Sequence, residues 1–198
     1  MKSTRGSLRF FSITGATTRE VFDGFDGAVV MNLYLMRHGI ALPQDDPSVT
    51  HDAERPLTSK GVKRMRKAAK GVQQLDIPFD AVLTSPALRA RQTAEIVAAA
   101  LNIEARLEEI SGLAPESTVE HLMFGLTRYQ DRAHVLLVGH EPLLSDAAAY
   151  LLGGKKPANV TIDFKKGALC RIEIDSLPAT SPGKLHWLLT AKQLRLLA

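Results

Sequence analysis

The chain has 198 residues, 45% of them hydrophobic and 23% charged, the balance of a globular protein with enough apolar material for a core. Its formal net charge is +4, with Lys and Arg spread along the chain and few aromatics between them, which suits acidic or phosphorylated partners and argues against a nucleic-acid binder. The single cysteine, Cys170, excludes an intramolecular disulfide, and no apolar stretch reaches the ~18 residues of a membrane span, so a reducing, cytoplasmic compartment and no membrane contact are expected.

Residues 1–30 are rich in Ser, Thr, Gly and Phe, carry no acid before Glu20 and show no clear period. They read as a loosely ordered extension, with the folded unit, residues 31–198, beginning at Met31. From there the elements alternate. Asn32 to Met36 forms a short apolar run, the pattern of a strand buried on both faces. A polar loop, Leu42 to Pro56, leads to Thr58, the N-cap of a helix over Ser59–Leu75 whose Val62, Met65, Ala69 and Val72 share one face. Asp80–Thr84 is a second strand. Ser85-Pro86 then opens a helix running to Leu101, with Ser85 as N-cap and Pro86 in the first turn. A short strand is expected near Ile103–Leu107, and a helix over Val119–Tyr129 capped by Ser117 or Thr118. His134–Val138 is a third buried strand. Leu143–Leu152 is a helix that stops at Gly153-Gly154, and Ala168–Asp175 with Lys184–Thr190 forms an antiparallel hairpin at one sheet edge. The expected architecture is an α/β fold, a three-layer αβα sandwich with a mostly parallel central sheet and antiparallel edge strands near the C-terminus.

Three of these strands end in polar residues: Arg37-His38-Gly39, Thr84-Ser85-Pro86 followed by Arg89, and Gly139-His140-Glu141-Pro142. Parallel neighbouring strands would bring the three ends to one edge of the sheet, where such folds bind ligands. Two imidazoles, several guanidinium groups and helix N-termini in a small volume suit a tetrahedral phosphate dianion. Nearby positive charge keeps an imidazole neutral and therefore nucleophilic. The residues alone leave open which histidine attacks, and whether Arg89 or Arg91 serves. A metal site is disfavoured, because the histidines lack ligand spacing and the arginines would repel a cation.

The segment Leu35-Met36-Arg37-His38-Gly39 resembles the signature of the histidine phosphatase superfamily, the phosphoglycerate-mutase-like fold. Arg55-Pro56-Leu57-Thr58 with Gly61, Thr84–Ala94 and Val138–Pro142 resemble the segments that follow it in that family, in the same order. The resemblance implies that His38 is the phosphorylated nucleophile, that Arg37, Arg89 and His140 complete the phosphate pocket, and that Arg55 adds a phosphate donor. It implies no cofactor and no metal. The short chain resembles the SixA-like phosphohistidine phosphatases, which implies a phosphorylated protein as substrate, such as a histidine phosphotransfer domain in signal transduction. Small phosphoesters such as sugar phosphates are the alternative substrates, and a non-catalytic phosphate-binding adaptor is the alternative role. Longer members insert a segment carrying a proton donor between the second and third motifs. Only about 50 residues separate Arg89 from His140 here, and Glu108, Glu109 and Glu116 are the carboxylates nearest to where a donor would fall. His51, His121, His134 and His186 are expected to be ordinary surface or core histidines.

Overall fold

The computed structural model describes residues 30–153 and 160–198. The expected extension therefore lies outside the described residues apart from Val30, as does Gly154 at the expected helix stop. Six strands form one sheet in the order β3-β2-β4-β1-β5-β6. The strands are β1 (Met31–Arg37), β2 (Ala81–Thr84), β3 (Leu107–Glu109), β4 (His134–Gly139), β5 (Leu169–Ile174) and β6 (Lys184–Leu189). Strands β1 to β4 pair in parallel, whereas β5 and β6 are antiparallel additions beside β1. The mostly parallel sandwich read from the sequence is thus the observed fold.

Alternation along each strand divides the core in two. Leu33 and Leu35 of β1 join Leu83, Val135 and Leu137 in one cluster with α3 (Val119–Leu126) and α4 (Leu143–Gly153). Tyr34 and Met36 point the other way, joining Val82, Leu136 and Val138 against α1 (Ser59–Gln73) and α2 (Leu88–Leu101). Each fully buried aliphatic side chain contributes roughly 1.5–3 kcal/mol, and both faces of the central strands are filled this way. Cys170 is fully buried in the first cluster, and burial pushes its thiol up to about 12. It is a packing residue.

Some element boundaries differ from the sequence reading. Thr58 caps α1 as expected, its side chain accepting from the Gly61 N–H at 2.9 Å. A Cβ at Gly61 would lie 2.1 Å from the Ile40 carbonyl oxygen, so this glycine lets the start of α1 press against the backbone just beyond β1. Ser85 does not cap α2: Ala87 is the N-cap residue, the helix begins at Leu88, and Pro86 lies outside it. The strand expected at Ile103–Leu107 begins only at Leu107, because Glu104–Arg106 closes into a 3₁₀ turn. The helix expected to reach Tyr129 ends at Leu126 and continues as a 3₁₀ turn. A short α5 (Ala191–Leu194), unforeseen in the sequence, packs Leu194 into the second cluster and carries its own capping box at Thr190 and Gln193. Among the described residues no helix is long and apolar enough to cross a membrane.

Candidate active site

The order β2-β4-β1 places the three polar strand ends side by side. Arg37 of β1 is in register with Gly139 of β4, and Thr84 of β2 with Val138. Just past the strands, the His38 N–H donates to the Gly139 carbonyl at 3.1 Å and the Ser85 N–H to the Val138 carbonyl at 3.0 Å. His38 and His140 consequently face each other with ring centroids 5.0 Å apart. Both are buried, as is Arg89.

The hydrogen bonds fix the state of His38. Its Nδ1 lies 2.7 Å from the Gly39 carbonyl oxygen. A carbonyl only accepts, so Nδ1 carries the hydrogen and Nε2 keeps its lone pair. Burial, reinforced by the charges of Arg89, Arg37 and Lys166, pushes the His38 pKa down to about 3, against the bond to Gly39. The ring is a neutral imidazole at physiological pH, which is the nucleophilic form. The Gly39 N–H donates in turn to Thr93 Oγ1 at 3.0 Å, and the Thr93 hydroxyl donates to the Arg89 carbonyl at 2.7 Å, so α2 holds the turn that carries His38.

His140 is held by Ser85, whose Oγ lies 2.8 Å from Nε2. The same oxygen accepts from the Ala87 N–H at 3.1 Å, leaving the hydroxyl hydrogen free for Nε2. In that arrangement Nδ1 bears hydrogen, and Nδ1 is buried without a partner. Burial, then the neighbouring His38 and Arg89, push this pKa to about 3 as well.

The arginines separate cleanly. Arg89 is 4% exposed and donates through Nη1 to the Asp52 carbonyl at 2.8 Å and through Nη2 to Asp52 Oδ2 at 2.9 Å. Arg91 is turned outward and pairs with Glu95 and Glu109. Arg37 donates through Nη1 to the Phe164 carbonyl at 2.7 Å. Arg55 spends Nε and Nη2 on Asp52 Oδ1, at 2.8 and 2.7 Å, and Nη1 on the Leu42 carbonyl at 2.8 Å. It nonetheless stands near enough to His140 to lower that pKa.

Among the described residues, four buried side-chain polar atoms have no hydrogen-bond partner: Arg37 Nε, Arg89 Nε, His140 Nδ1 and Glu141 Oε1. All four belong to the motifs at the strand ends. Buried polar atoms are nearly always satisfied, and the three nitrogens among these, Arg37 Nε, Arg89 Nε and His140 Nδ1, suit an acceptor-rich ligand. A phosphoryl group, with three strong acceptor oxygens, is a chemical match for them.

The sequence alone does not mark Asp52, Thr93, Lys166 or the Ser85 hydroxyl as site residues. Asp52 bridges Arg55 and Arg89 with its two carboxylate oxygens, and although burial opposes it, those guanidinium groups hold its pKa below the usual carboxylate range. Its place three residues before Arg55 was the one available signal. Glu141 follows His140 in the third motif, and the sequence alone assigns it no role. Burial raises its pKa against the influence of Ser145 and Arg37. The Ser145 hydroxyl contacts both Glu141 Oε2 and the Ile162 carbonyl oxygen, and one hydroxyl hydrogen cannot serve two acceptors. Burial favours the neutral carboxyl at Glu141, the form that does not repel an incoming dianion.

The other carboxylates considered from sequence stand elsewhere. Glu108 pairs with Arg128 and accepts from the Tyr129 hydroxyl, Glu109 pairs with Arg91, and Glu116 is exposed. His134 bonds the Tyr34 hydroxyl, His186 pairs with Glu173, and His121 contacts Ser111 and Ser117.

The family model "Histidine phosphatase superfamily (branch 1)" matches residues 33–118. The solved structure of the protein histidine phosphatase SixA complexed with tungstate is 30% identical, with a TM-score of 0.70, over 83% of this chain and 99% of that one. This chain belongs to the histidine phosphatase superfamily. The phosphohistidine phosphatase SixA of Escherichia coli is 29% identical over 84% of this chain and 98% of its own length. An uncharacterised Picosynechococcus protein is 42% identical over 63% of this chain and 75% of its own. Membership in the histidine phosphatases makes the chain a phosphatase of that type.

The two depressed histidines have a consequence for stability. In the folded histidine phosphatase both rings stay neutral down to about pH 3, whereas in the unfolded chain they take up protons near pH 6.5. Between those values the unfolded state binds more protons, so stability falls as pH drops. At pH 4.5 each ring accounts for a loss on the order of 2–3 kcal/mol. Thermal unfolding followed from pH 7 to 4.5 should show Tm falling, and the slope should be shallower in His140→Gln. An identical slope in the variant would show that His140 is not held neutral.

Proposed function

We propose that this chain removes phosphate from phosphohistidine in proteins, with His38 as nucleophile and Arg37, Arg89, Arg55 and His140 as the phosphate cradle. The observation that carries the reading is the Nδ1–H bond from His38 to the Gly39 carbonyl. It leaves the Nε2 lone pair as the only nucleophilic atom of a buried, neutral ring beside unpaired guanidinium and imidazole donors.

In the first step His38 Nε2 attacks phosphorus, and the bond from phosphorus to the substrate nitrogen breaks. The departing electron pair stays on a substrate imidazole already protonated at its other nitrogen, which leaves as a neutral ring. Arg37 and Arg89 take up charge on the equatorial oxygens through their free Nε–H groups, the dominant contribution in phosphoryl transfer. His140 Nδ1–H offers a third donor. Arg55 adds positive charge beside His140 and shares Asp52 with Arg89, whose guanidinium plane that carboxylate fixes. In the second step water attacks the phosphorylated His38. Its proton is lost to solvent or the departing phosphate, and neutral His38 is restored with inorganic phosphate.

Three points support phosphohistidine over a phosphoester. The bond broken and the bond made are both between phosphorus and imidazole nitrogen, so the first step is close to balanced and asks for no strong acid. The carboxylates between the second and third motifs are engaged or exposed elsewhere. Two of the relatives similar along nearly their whole length, at 29% and 30% identity, are SixA proteins, one of them complexed with tungstate, a tetrahedral oxyanion, whereas the alpha-ribazole and phosphoserine phosphatases matched as fully are 22% and 14% identical. A phosphatase of small phosphoesters is the second reading, and the raised pKa of Glu141 favours it, since an alkoxide leaving group needs a proton. Turnover of a phosphohistidine peptide should exceed that of a sugar-phosphate panel by about 100-fold or more in kcat/KM, equivalent to at least ~2.7 kcal/mol of transition-state discrimination. A preference for any sugar phosphate would overturn the proposal.

A further inference from the structure

Helix α1 carries Lys60, Lys63, Arg64, Arg66, Lys67 and Lys70 and no acid, and all six cations are exposed. At 100° per residue they fall within an arc of roughly 160°, opposite the buried Met65, Ala69 and Val72. Among the described residues none of the six lies within ion-pair distance of a carboxylate, although surface pairs form readily elsewhere in the fold. Such an arrangement works against the helix. Cations near its N-terminus oppose the macrodipole, and like charges three and four positions apart repel.

Arg66 and Lys70 also flank a groove of about 460 Å³ between α1 and α2, floored by Ile96, Ala99 and Ala100. The remaining acid at its edge, Glu95, is paired with Arg91. The start of α1 presses on Ile40, two residues beyond His38, so the basic strip begins beside the phosphate pocket and runs away from it.

We propose that the basic face of α1 and the α1–α2 groove dock an acidic helix of the phosphorylated substrate protein, an apolar stripe seated on Ile96 and Ala99 and carboxylates against Lys63, Arg66 and Lys70. This rests on the phosphoprotein reading of the site. The groove suits a protein over a nucleic acid, because neither α1 nor α2 carries an aromatic side chain for base stacking and the groove floor is aliphatic. It suits a protein over a membrane, because the apolar face of α1 is buried in the core and unavailable for insertion.

Two labelled, unphosphorylated helical peptides of about 25 residues, long enough to hold a helix, provide the test. They share a Leu/Ala stripe and differ in flanking Glu or Lys. The full chain should bind the Glu-flanked peptide, more weakly as salt rises from about 50 to 300 mM, and the Lys-flanked one at least about tenfold less well. The triple variant Lys63→Glu, Arg66→Glu, Lys70→Glu should lose at least about tenfold in affinity for the Glu-flanked peptide. Its turnover of free phosphohistidine should stay within about twofold of the parent. With phosphohistidine built into the Glu-flanked peptide, the loss should appear in KM and not in kcat. Equal binding of both peptides, unchanged affinity in the variant, or loss of single-stranded oligonucleotide binding in place of peptide binding would each overturn the docking proposal. A parent that turns over no phosphohistidine but still binds the acidic peptide refutes the substrate reading and leaves the docking face standing.

Discussion

Replacing His38 with alanine should abolish hydrolysis, lowering kcat by about 10⁴-fold or more, the range associated with removing a covalent nucleophile. No neighbouring group can substitute for it. His140 Nε2 is engaged by Ser85, and its Nδ1 bears hydrogen in the arrangement that satisfies Ser85 and Ala87. The fold should survive, because the imidazole contributes a single bond to the adjacent Gly39 carbonyl and its burial as a neutral ring opposes stability at low pH. Circular dichroism and Tm of the variant, measured beside kcat, separate lost chemistry from lost structure. Turnover retained within tenfold would remove His38 from the nucleophile's role.

The second large effect is expected at Arg89. Arg89→Lys keeps the charge but loses the planar fork that reaches Asp52 with two nitrogens while presenting Nε to the pocket. A point-charge ammonium cannot do both. The rate should fall by about 10²–10³-fold, the range for removing one preorganised donor to developing charge. Affinity for a phosphate-like oxyanion should fall with it. Stability should fall less than for a fully buried ion pair, because the Asp52 side chain is 36% exposed and keeps Arg55 as a partner. Arg91→Lys is the control: its guanidinium is turned outward onto Glu95 and Glu109, and turnover should change little. If Arg91→Lys proved the more damaging change, the cradle would have been assigned to the wrong side of α2.

The contrast between those arginines illustrates what the sequence could convey. The apolar runs of β1 and β4 declared buried parallel strands, and adjacency of parallel strands was enough to bring His38, Arg89 and His140 to one end of the sheet. Whether Arg89 or Arg91 turned inward depended on which side of α2 faces the sheet, and the residues alone leave that open; Arg89 shares the buried side with Ala90, Thr93 and Val97. Ser85 followed by Pro86 has the local chemistry of a helix start, but the Ser85 hydroxyl bonds His140, 55 positions away and just past β4, and the helix begins three residues later. No local pattern encodes that competition. Asp52 was hidden for a related reason: its role depends on a loop folding back so that one carboxylate meets arginines 3 and 37 positions distant. Glu141 lay in plain view beside His140, but its raised pKa comes from burial, which outweighs the Ser145 hydrogen bond and the charge of Arg37, and burial is a tertiary fact.

The central claim is that phosphate passes through Nε2 of His38. Incubating the protein with a small phosphohistidine donor, quenching in base and mapping the adduct by mass spectrometry tests it directly. The expected result is one acid-labile, base-stable phosphoryl group on His38, absent from His38→Ala. An adduct on His140, or hydrolysis at full rate with no phosphorylated histidine trapped at any time, would contradict it.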